Sequence, residues 1–116
     1  NPPSSGPHYI DPAREGYYDT ELPDEQLIHN LEHGDIWIAY HPRISQETKD
    51  ALKQFDGQKV IITSRAKNDT DIALVAWTRV DAFNLEGGKI DNARVEDFIK
   101  RYINAGPEKL IPSNHK

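Results

Sequence analysis

The spacing of apolar positions predicts a first helix over residues 24–33. At about 100° per residue, Leu27 and Leu31 fall on one side of this helix, whereas His29 and His33 fall on the other. The apolar side is suited to packing in a core, so the two imidazoles are predicted to face away from that core.

Two further helices and three strands follow from the same patterns. Apolar residues recur at helical spacing in two later segments, where Ser45 and Asp91 are residue types that cap helix N-termini. Runs of β-branched and aromatic residues indicate strands between the helices. The predicted elements are a strand at 35–40, a helix from Ser45 to Asp56, strands at 59–63 and 72–80, the latter with a continuation to Phe83, and a helix from Asp91 that Gly106-Pro107 terminates. This order predicts an α+β domain in which a three- to four-stranded sheet is packed with about three helices.

Residues 1–23 form a Pro- and Tyr-rich segment with no regular period. The segment holds five of the eight prolines and also carries Tyr9, Tyr17 and Tyr18. Because tyrosine rings are costly to leave in water, we expect an irregular N-terminal arm packed on the domain, with a frayed tail as the alternative. The length of 116 residues, 36% of them hydrophobic and 28% charged, is that of a single domain over residues 1–116.

Composition removes several classes of function. Lys and Arg total 14 against 19 Asp and Glu, which gives a net charge of -5 with no basic run, so a nucleic-acid partner is not expected. Apolar runs such as Ile36 to Tyr40 are far shorter than the ~20 residues that cross a bilayer, so the chain as given is not expected to be embedded in a membrane. Because cysteine is absent, imidazole and carboxylate are the only strong metal ligands available.

The first residues and the composition together predict a compartment. A chain that starts Asn1-Pro2-Pro3 does not start at a translated N-terminus, so we expect a processed or trimmed chain whose missing segment was a signal or a membrane anchor. The absence of cysteine and methionine suits an oxidising compartment. An extracytoplasmic location, whether periplasmic, cell-surface or secreted, is therefore predicted.

The pentapeptide His29-Asn30-Leu31-Glu32-His33 carries the strongest chemical signal. Two histidines four residues apart on a helix lie one above the other and can hold the same ion. The segment also matches H-x-x-E-H, in which inverzincin proteases use two zinc ligands and a glutamate general base. Such proteases need a third ligand from a distant helix and a large cleft, for which this chain leaves little room. Spacing alone equally allows two surface histidines on a polar helix face.

A third imidazole is available in the arm. The turn-forming stretch at residues 4–8 can present His8 at a fixed angle, which would complete a three-histidine site with an open fourth position. His41, which precedes Pro42 at the end of a strand, is a weaker candidate for the same site, because a histidine in a turn commonly has a structural explanation.

Two motifs give the chain a family resemblance. They are Asn1-Pro2-Pro3-Ser4-Ser5-Gly6-Pro7-His8 and His29-Asn30-Leu31-Glu32-His33-Gly34, with an aromatic strand after the second and a late Ala76-Trp77 followed by an Asp-led helix. In these features, which span nearly the whole chain, it resembles a bacterial and archaeal domain family of unknown function. Members of that family typically sit outside the membrane behind a signal sequence or a single anchor helix. The resemblance implies a role for His8, His29, Glu32 and His33, and it implies no particular reaction.

Three hypotheses of function follow. The leading one is a small extracytoplasmic domain that binds one transition-metal ion, Zn(II) or Cu(II), through His8, His29 and His33, with Glu32 as a fourth ligand or as a hydrogen-bond partner of a ligand. The second is a small metal-dependent hydrolase in which Glu32 is the general base beside a metal-bound water. The third is a metal-free module whose Tyr- and Pro-rich arm docks a protein partner.

Overall fold

The helices and strands form in the order that the apolar pattern predicts. The structure, a computed structural model, describes residue 2 and residues 11–107 of the chain. In this part the elements are β1 (Gly16–Tyr17), α1 (Asp24–Glu32), β2 (Ile36–Tyr40), α2 (Gln46–Leu52) with a 3-10 turn (Lys53–Phe55), β3 (Val60–Ser64), β4 (Ile72–Ala76), β5 (Arg79–Phe83) and α3 (Asn92–Tyr102). The described residues thus form an α+β fold with three α-helices and a five-stranded mixed sheet.

The strands form one sheet in the order β1-β3-β2-β4-β5. β2 and β3 run parallel, with Trp37 opposite Ile61, and α2 lies in the crossover between them. β4 runs antiparallel to β2, with Trp37 opposite Val75. β2 is therefore the central strand, paired on both edges, which explains why all five of its residues are buried.

Each face of the sheet packs against helices, because successive strand residues point to opposite faces. Trp37 and Ala39 of β2 face α1 and pack with Leu27 and Leu31. Ile38 faces the other way, into a second core. That second core also contains Tyr40, Leu52, Phe55, Val95 and Phe98, which brings in α2 and α3. The apolar side of α1 is therefore buried as predicted, and its histidine side faces away from the sheet.

Side chains cap the N-termini of α2 and α3 as the sequence predicts. The Ser45 hydroxyl accepts a hydrogen bond from the Thr48 amide at 3.1 Å. The Asp91 carboxylate accepts one from the Arg94 amide, also at 3.1 Å. Each cap satisfies an amide that has no partner within its helix, so both helices begin where a short polar side chain is available.

β4 and β5 replace the single long strand predicted over residues 72–80. The chain reverses at Trp77 and Thr78, and Ala76 pairs with Arg79 across the turn. Thr78 has a φ of 63°, a left-handed conformation that turns usually assign to glycine or asparagine. Neither Trp77 nor Thr78 is a residue type that indicates a hairpin turn, so the sequence pattern does not predict that the chain reverses there.

The arm contains a short edge strand that the sequence does not predict. Gly16 and Tyr17 form β1, which pairs parallel with β3. With β1 and with the hairpin strand β5, the sheet has five strands instead of three to four. The arm also packs on the α1 face of the core, where Ala13 is buried. Residues 3–10 of the arm, which include His8, lie outside the described residues.

The longest helix that the structure describes, α3, has 11 residues. None of the helices in residues 11–107 combines the length and the apolar character that crossing a membrane requires.

Candidate metal centre

Helix α1 determines where the candidate ligands lie. Pro23 precedes the helix, and its fixed φ favours a helix start. Asp24 and Glu25 occupy the first turn, where negative charge interacts favourably with the helix dipole. The helix ends at Glu32, and Gly34, with a φ of 91°, turns the chain toward β2. His29 therefore lies in the last turn and His33 at the C-cap.

The two histidines of α1 lie side by side. Their ring centroids are 4.8 Å apart and their planes are tilted by 30°. Two imidazoles on one tetrahedral ion, with metal–nitrogen bonds of about 2.0–2.1 Å, have centroids roughly 5 Å apart. Both side chains are half-buried, and Nδ1 of His29 is shielded from solvent. The helix thus brings His29 and His33 together at a spacing that suits a shared ion.

Glu32 lies near His29 on the surface of α1. It follows His29 by three residues, so the two side chains are neighbours on the helix surface. Its carboxylate oxygen Oε1 is shielded from solvent. A shielded carboxylate near an imidazole can accept a hydrogen bond from the ring or take a proton. Glu32, His29 and His33 all have interaction partners in the structure.

Asn30, which follows His29, holds the arm against α1. Its side chain accepts a hydrogen bond from the Ala13 amide at 2.8 Å and donates one to the Ala13 carbonyl at 2.8 Å. It also donates to the Asp35 carboxylate at 2.9 Å. Asn30 is only 1% exposed, so these bonds satisfy a buried polar group. The histidine pattern does not predict this role, because Asn30 lies about 60° from both Leu27 and His33, on the boundary between the two sides of the helix.

The segment after α3 packs on the carboxyl end of α1. The Asn104 amide donates a hydrogen bond to the Gly34 carbonyl at 2.8 Å. A side chain at Gly106 would overlap the backbone carbonyls of Leu31 and Glu32. The last turn of α1 is therefore held between the arm and this segment, which fixes the backbone that carries the histidines.

A groove of 440 Å³ opens beside His33. Residues 12–15 of the arm form one wall, and Asn30, Asp35 and Lys59 contribute to the rest. The ammonium of Lys59 donates to the His33 carbonyl at 2.8 Å and lies 3.4 Å from the Asp35 carboxylate. Asp35 is only 4% exposed, so Lys59 balances its charge inside the protein. The arrangement leaves open space next to one of the two candidate ligands.

Among the described residues, the one remaining histidine, His41, does not lie near the end of α1. His41 follows β2, and its Nδ1 accepts a hydrogen bond from the Arg43 amide at 3.0 Å. Because β2 has five residues at about 3.3 Å each, roughly 17 Å of strand separates His41 from the end that is next to His33. His41 therefore does not join this site. His8 and His115 lie outside the described residues.

The fold and the site define a class of protein, a small α+β domain with two adjacent imidazoles at the end of its first helix. Over residues 1–115 the chain matches the family described as "Protein of unknown function (DUF3105)", and it belongs to that family. The resemblance to a domain family of unknown function is therefore confirmed. No curated protein and no solved structure matches the chain.

Proposed function

We propose that the chain is a small extracytoplasmic domain that binds one transition-metal ion through His29 and His33 of α1 and His8 of the arm. The observation that supports this most strongly is the 4.8 Å separation of the two imidazole centroids on the side of α1 that faces away from the core. Rings at that spacing can each direct one nitrogen to a common ion. Glu32 supplies a fourth donor or a hydrogen bond that orients a ligand ring.

The third ligand is expected from the arm. Among residue 2 and residues 11–107, no group of three or more His, Cys, Asp or Glu side chains is arranged to hold a metal ion, so a site at His29 and His33 needs a donor from elsewhere in the chain. Asn30 binds the backbone of Ala13, five residues after His8. Because five extended residues span at most roughly 18 Å, this anchor keeps His8 within reach of the end of α1.

Zn(II) or Cu(II) fits this set of donors. Neutral imidazoles suit both ions, whereas soft thiolate and thioether ligands select Cu(I). The chain contains no Cys and no Met. Three imidazoles would leave a fourth position for Glu32, for water or for an added ligand.

Isothermal titration calorimetry of the untagged chain with Zn(II) and with Cu(II) tests the proposal. One equivalent is expected to bind. His8→Ala, His29→Ala and His33→Ala are each expected to weaken binding by about a hundredfold or more, because even the loss of a ligand's hydrogen-bond partner weakens metal binding by about 10- to 100-fold.

His41→Ala is the matched control for these variants, because it removes an imidazole at the far end of β2. It is expected to keep the affinity of the starting protein. A chain that binds neither ion would contradict the proposal, as would binding that survives the loss of both His29 and His33.

A metal-dependent hydrolase is the second candidate, and the groove beside His33 is the observation that favours it. The groove of 440 Å³ gives a small substrate room next to the candidate ligands. Glu32 is close enough in sequence to His29 to act as a general base on a metal-bound water. In a hydrolase, Glu32→Gln is expected to keep the metal and abolish turnover of ester or peptide substrates. In a binding domain, the same variant changes the metal affinity alone.

A further inference from the structure

The outer edge of the sheet at β5 has no paired strand among the described residues. β5 pairs with β4 on its inner side and stands last in the strand order. Ala76 and Arg79 flank the two-residue hairpin turn and form a hydrogen-bonded pair. From there, hydrogen-bonded and non-hydrogen-bonded pairs alternate along the two strands. The backbone groups of Arg79 and Asp81 therefore bond to β4, whereas those of Val80 and Ala82 point away from the sheet.

The side chains along this edge favour pairing with another strand. Val80 is 42% exposed and is the one large hydrophobic residue exposed in the part of the chain that the structure describes. Edge strands usually resist pairing through lysines, prolines or bulges, and β5 has no lysine or proline. Its two charged residues, Arg79 and Asp81, have opposite signs and lie on the same face.

We propose that β5 pairs antiparallel with β5 of a second copy of the chain, with the two Val80 residues opposite each other at the centre. In that register, Arg79 of each copy lies opposite Asp81 of the other, so two pairs of opposite charge form on one face. The two Val80 side chains meet on the other face, and their outward backbone groups bond to each other. The two five-stranded sheets become one continuous sheet.

Charge selects this register over its nearest alternative. Moving the centre to Asp81 would pair Val80 with Ala82 and also use outward backbone groups, but it would place two carboxylates opposite each other. Arg94 holds the Asp81 carboxylate in place through hydrogen bonds of 2.9 and 2.7 Å. A carboxylate has about four acceptor sites, so it can also accept from the arginine of a second copy. Arg79 is exposed, and its guanidinium carbon lies over the Tyr102 ring, 5.8 Å from the ring centroid.

Single-cysteine variants test the register, because the chain has no cysteine of its own. Val80→Cys is expected to form a disulfide-linked dimer in oxidised glutathione, since opposite residues of a hydrogen-bonded pair have Cα atoms about 5.5 Å apart. Ala82→Cys is the matched control. In the proposed register, residue 82 of one chain and residue 82 of the other would lie four residues apart along the paired β5 strands, roughly 13 Å, which is beyond disulfide reach. Equal cross-linking of the two variants would overturn the proposed register.

Sedimentation of the full chain at rising concentration measures the association itself. Val80→Lys is expected to raise the dimer dissociation constant by about tenfold or more, because it places two like charges at the centre. Circular dichroism checks that this variant folds, which we expect because the Val80 side chain is exposed in the single chain. Gln58→Lys, which adds the same charge at an exposed loop position, is expected to associate like the starting protein.

The charge pairs are tested by substitution of Arg79. Arg79→Asp is expected to weaken the dimer, because it places two carboxylates opposite each other in both pairs, whereas Arg79→Lys keeps the charge and is expected to keep most of the affinity. A chain that stays monomeric up to the order of 1 mM overturns the proposal, and so does a dimer that Val80→Lys leaves unchanged.

Discussion

A buried amide connects the arm to the helix of the candidate metal centre. Asn30 makes two hydrogen bonds with the backbone of Ala13 and one with Asp35. A backbone group that loses its partner inside a protein costs about 1–3 kcal/mol, and Asn30 satisfies two such groups on the arm. The position of the arm over α1 therefore depends on one side chain that lies between the two candidate ligands in sequence.

Asn30→Ala is expected to lower the free energy of unfolding by about 2–4 kcal/mol, because it leaves the backbone groups of Ala13 without partners and removes buried atoms. Trypsin is expected to cleave faster after Arg14, which is exposed in the arm. Urea unfolding and the rate of this cleavage measure the two effects. Asn92→Ala, which removes one exposed hydrogen bond with Gln54, is the control and is expected to change stability by less than about 0.5 kcal/mol. Equal behaviour of the two variants would remove Asn30 as the anchor.

Tyr40 gives the fold a dependence on alkaline pH. Burial raises the pKa of Tyr40 above its usual value of about 10, and the hydrogen bond with Tyr17 raises it further. Because the unfolded chain ionises first, the stability from this group is present below about pH 10 and is lost as the pH rises above it. Urea unfolding between about pH 8 and pH 11 should show this loss. Tyr40→Phe should flatten the decline, and an equally steep decline in that variant would contradict the assignment.

The helices are the elements that the sequence predicts best. α1 spans Asp24–Glu32 against a predicted range of 24–33, and α3 begins directly after the predicted cap, Asp91. Periodicity and caps are local signals, so they can be read without knowledge of the fold. The turn between β4 and β5 has no such signal, because Thr78 takes a positive φ against its residue type. β1 is only two residues long and forms through pairing with a distant strand.

The candidate site also has one part that the sequence predicts and one part that it does not. The side-by-side placement of His29 and His33 depends on helix geometry, so their spacing predicts it. The pair formed by Asp35 and Lys59, and the groove next to it, depend on contacts between residues that are far apart in the chain. Such contacts follow from the sheet topology, which no local pattern contains.

Gly106→Ala is expected to lower the free energy of unfolding by about 1–3 kcal/mol, because the added methyl group would push the segment after α3 away from the end of α1. Gly57→Ala is the matched control, since the nearest atom to its added methyl group, the Phe55 carbonyl oxygen, would lie 4.0 Å away. Thermal unfolding of both variants measures the difference. If the two substitutions have equal effects, the close approach at Gly106 does not stabilise the end of α1.

In the whole molecule, the arm, the end of α1 and the segment after α3 meet at one place. Asn30 fixes the arm there, and Asn104 fixes the later segment through Gly34. An ion held jointly by His8 and the α1 histidines would tie the arm to the helix a second time. Metal binding would then stabilise the folded state according to the affinity and the concentration of the free ion.

The pH dependence of the metal affinity should give the number of imidazole ligands. Imidazole binds a metal ion only when it is neutral, so protons compete with the ion below the usual pKa of a histidine side chain, about 6.5. Three competing protons weaken binding by up to about a thousandfold per pH unit, and two weaken it by about a hundredfold. His8→Ala should therefore lower the slope of log affinity against pH by about one, whereas His41→Ala should leave it unchanged. Calorimetric titrations between about pH 5 and pH 6 measure this slope. A slope that His8→Ala does not change would exclude His8 as a ligand, and the centre would then rest on His29 and His33 alone.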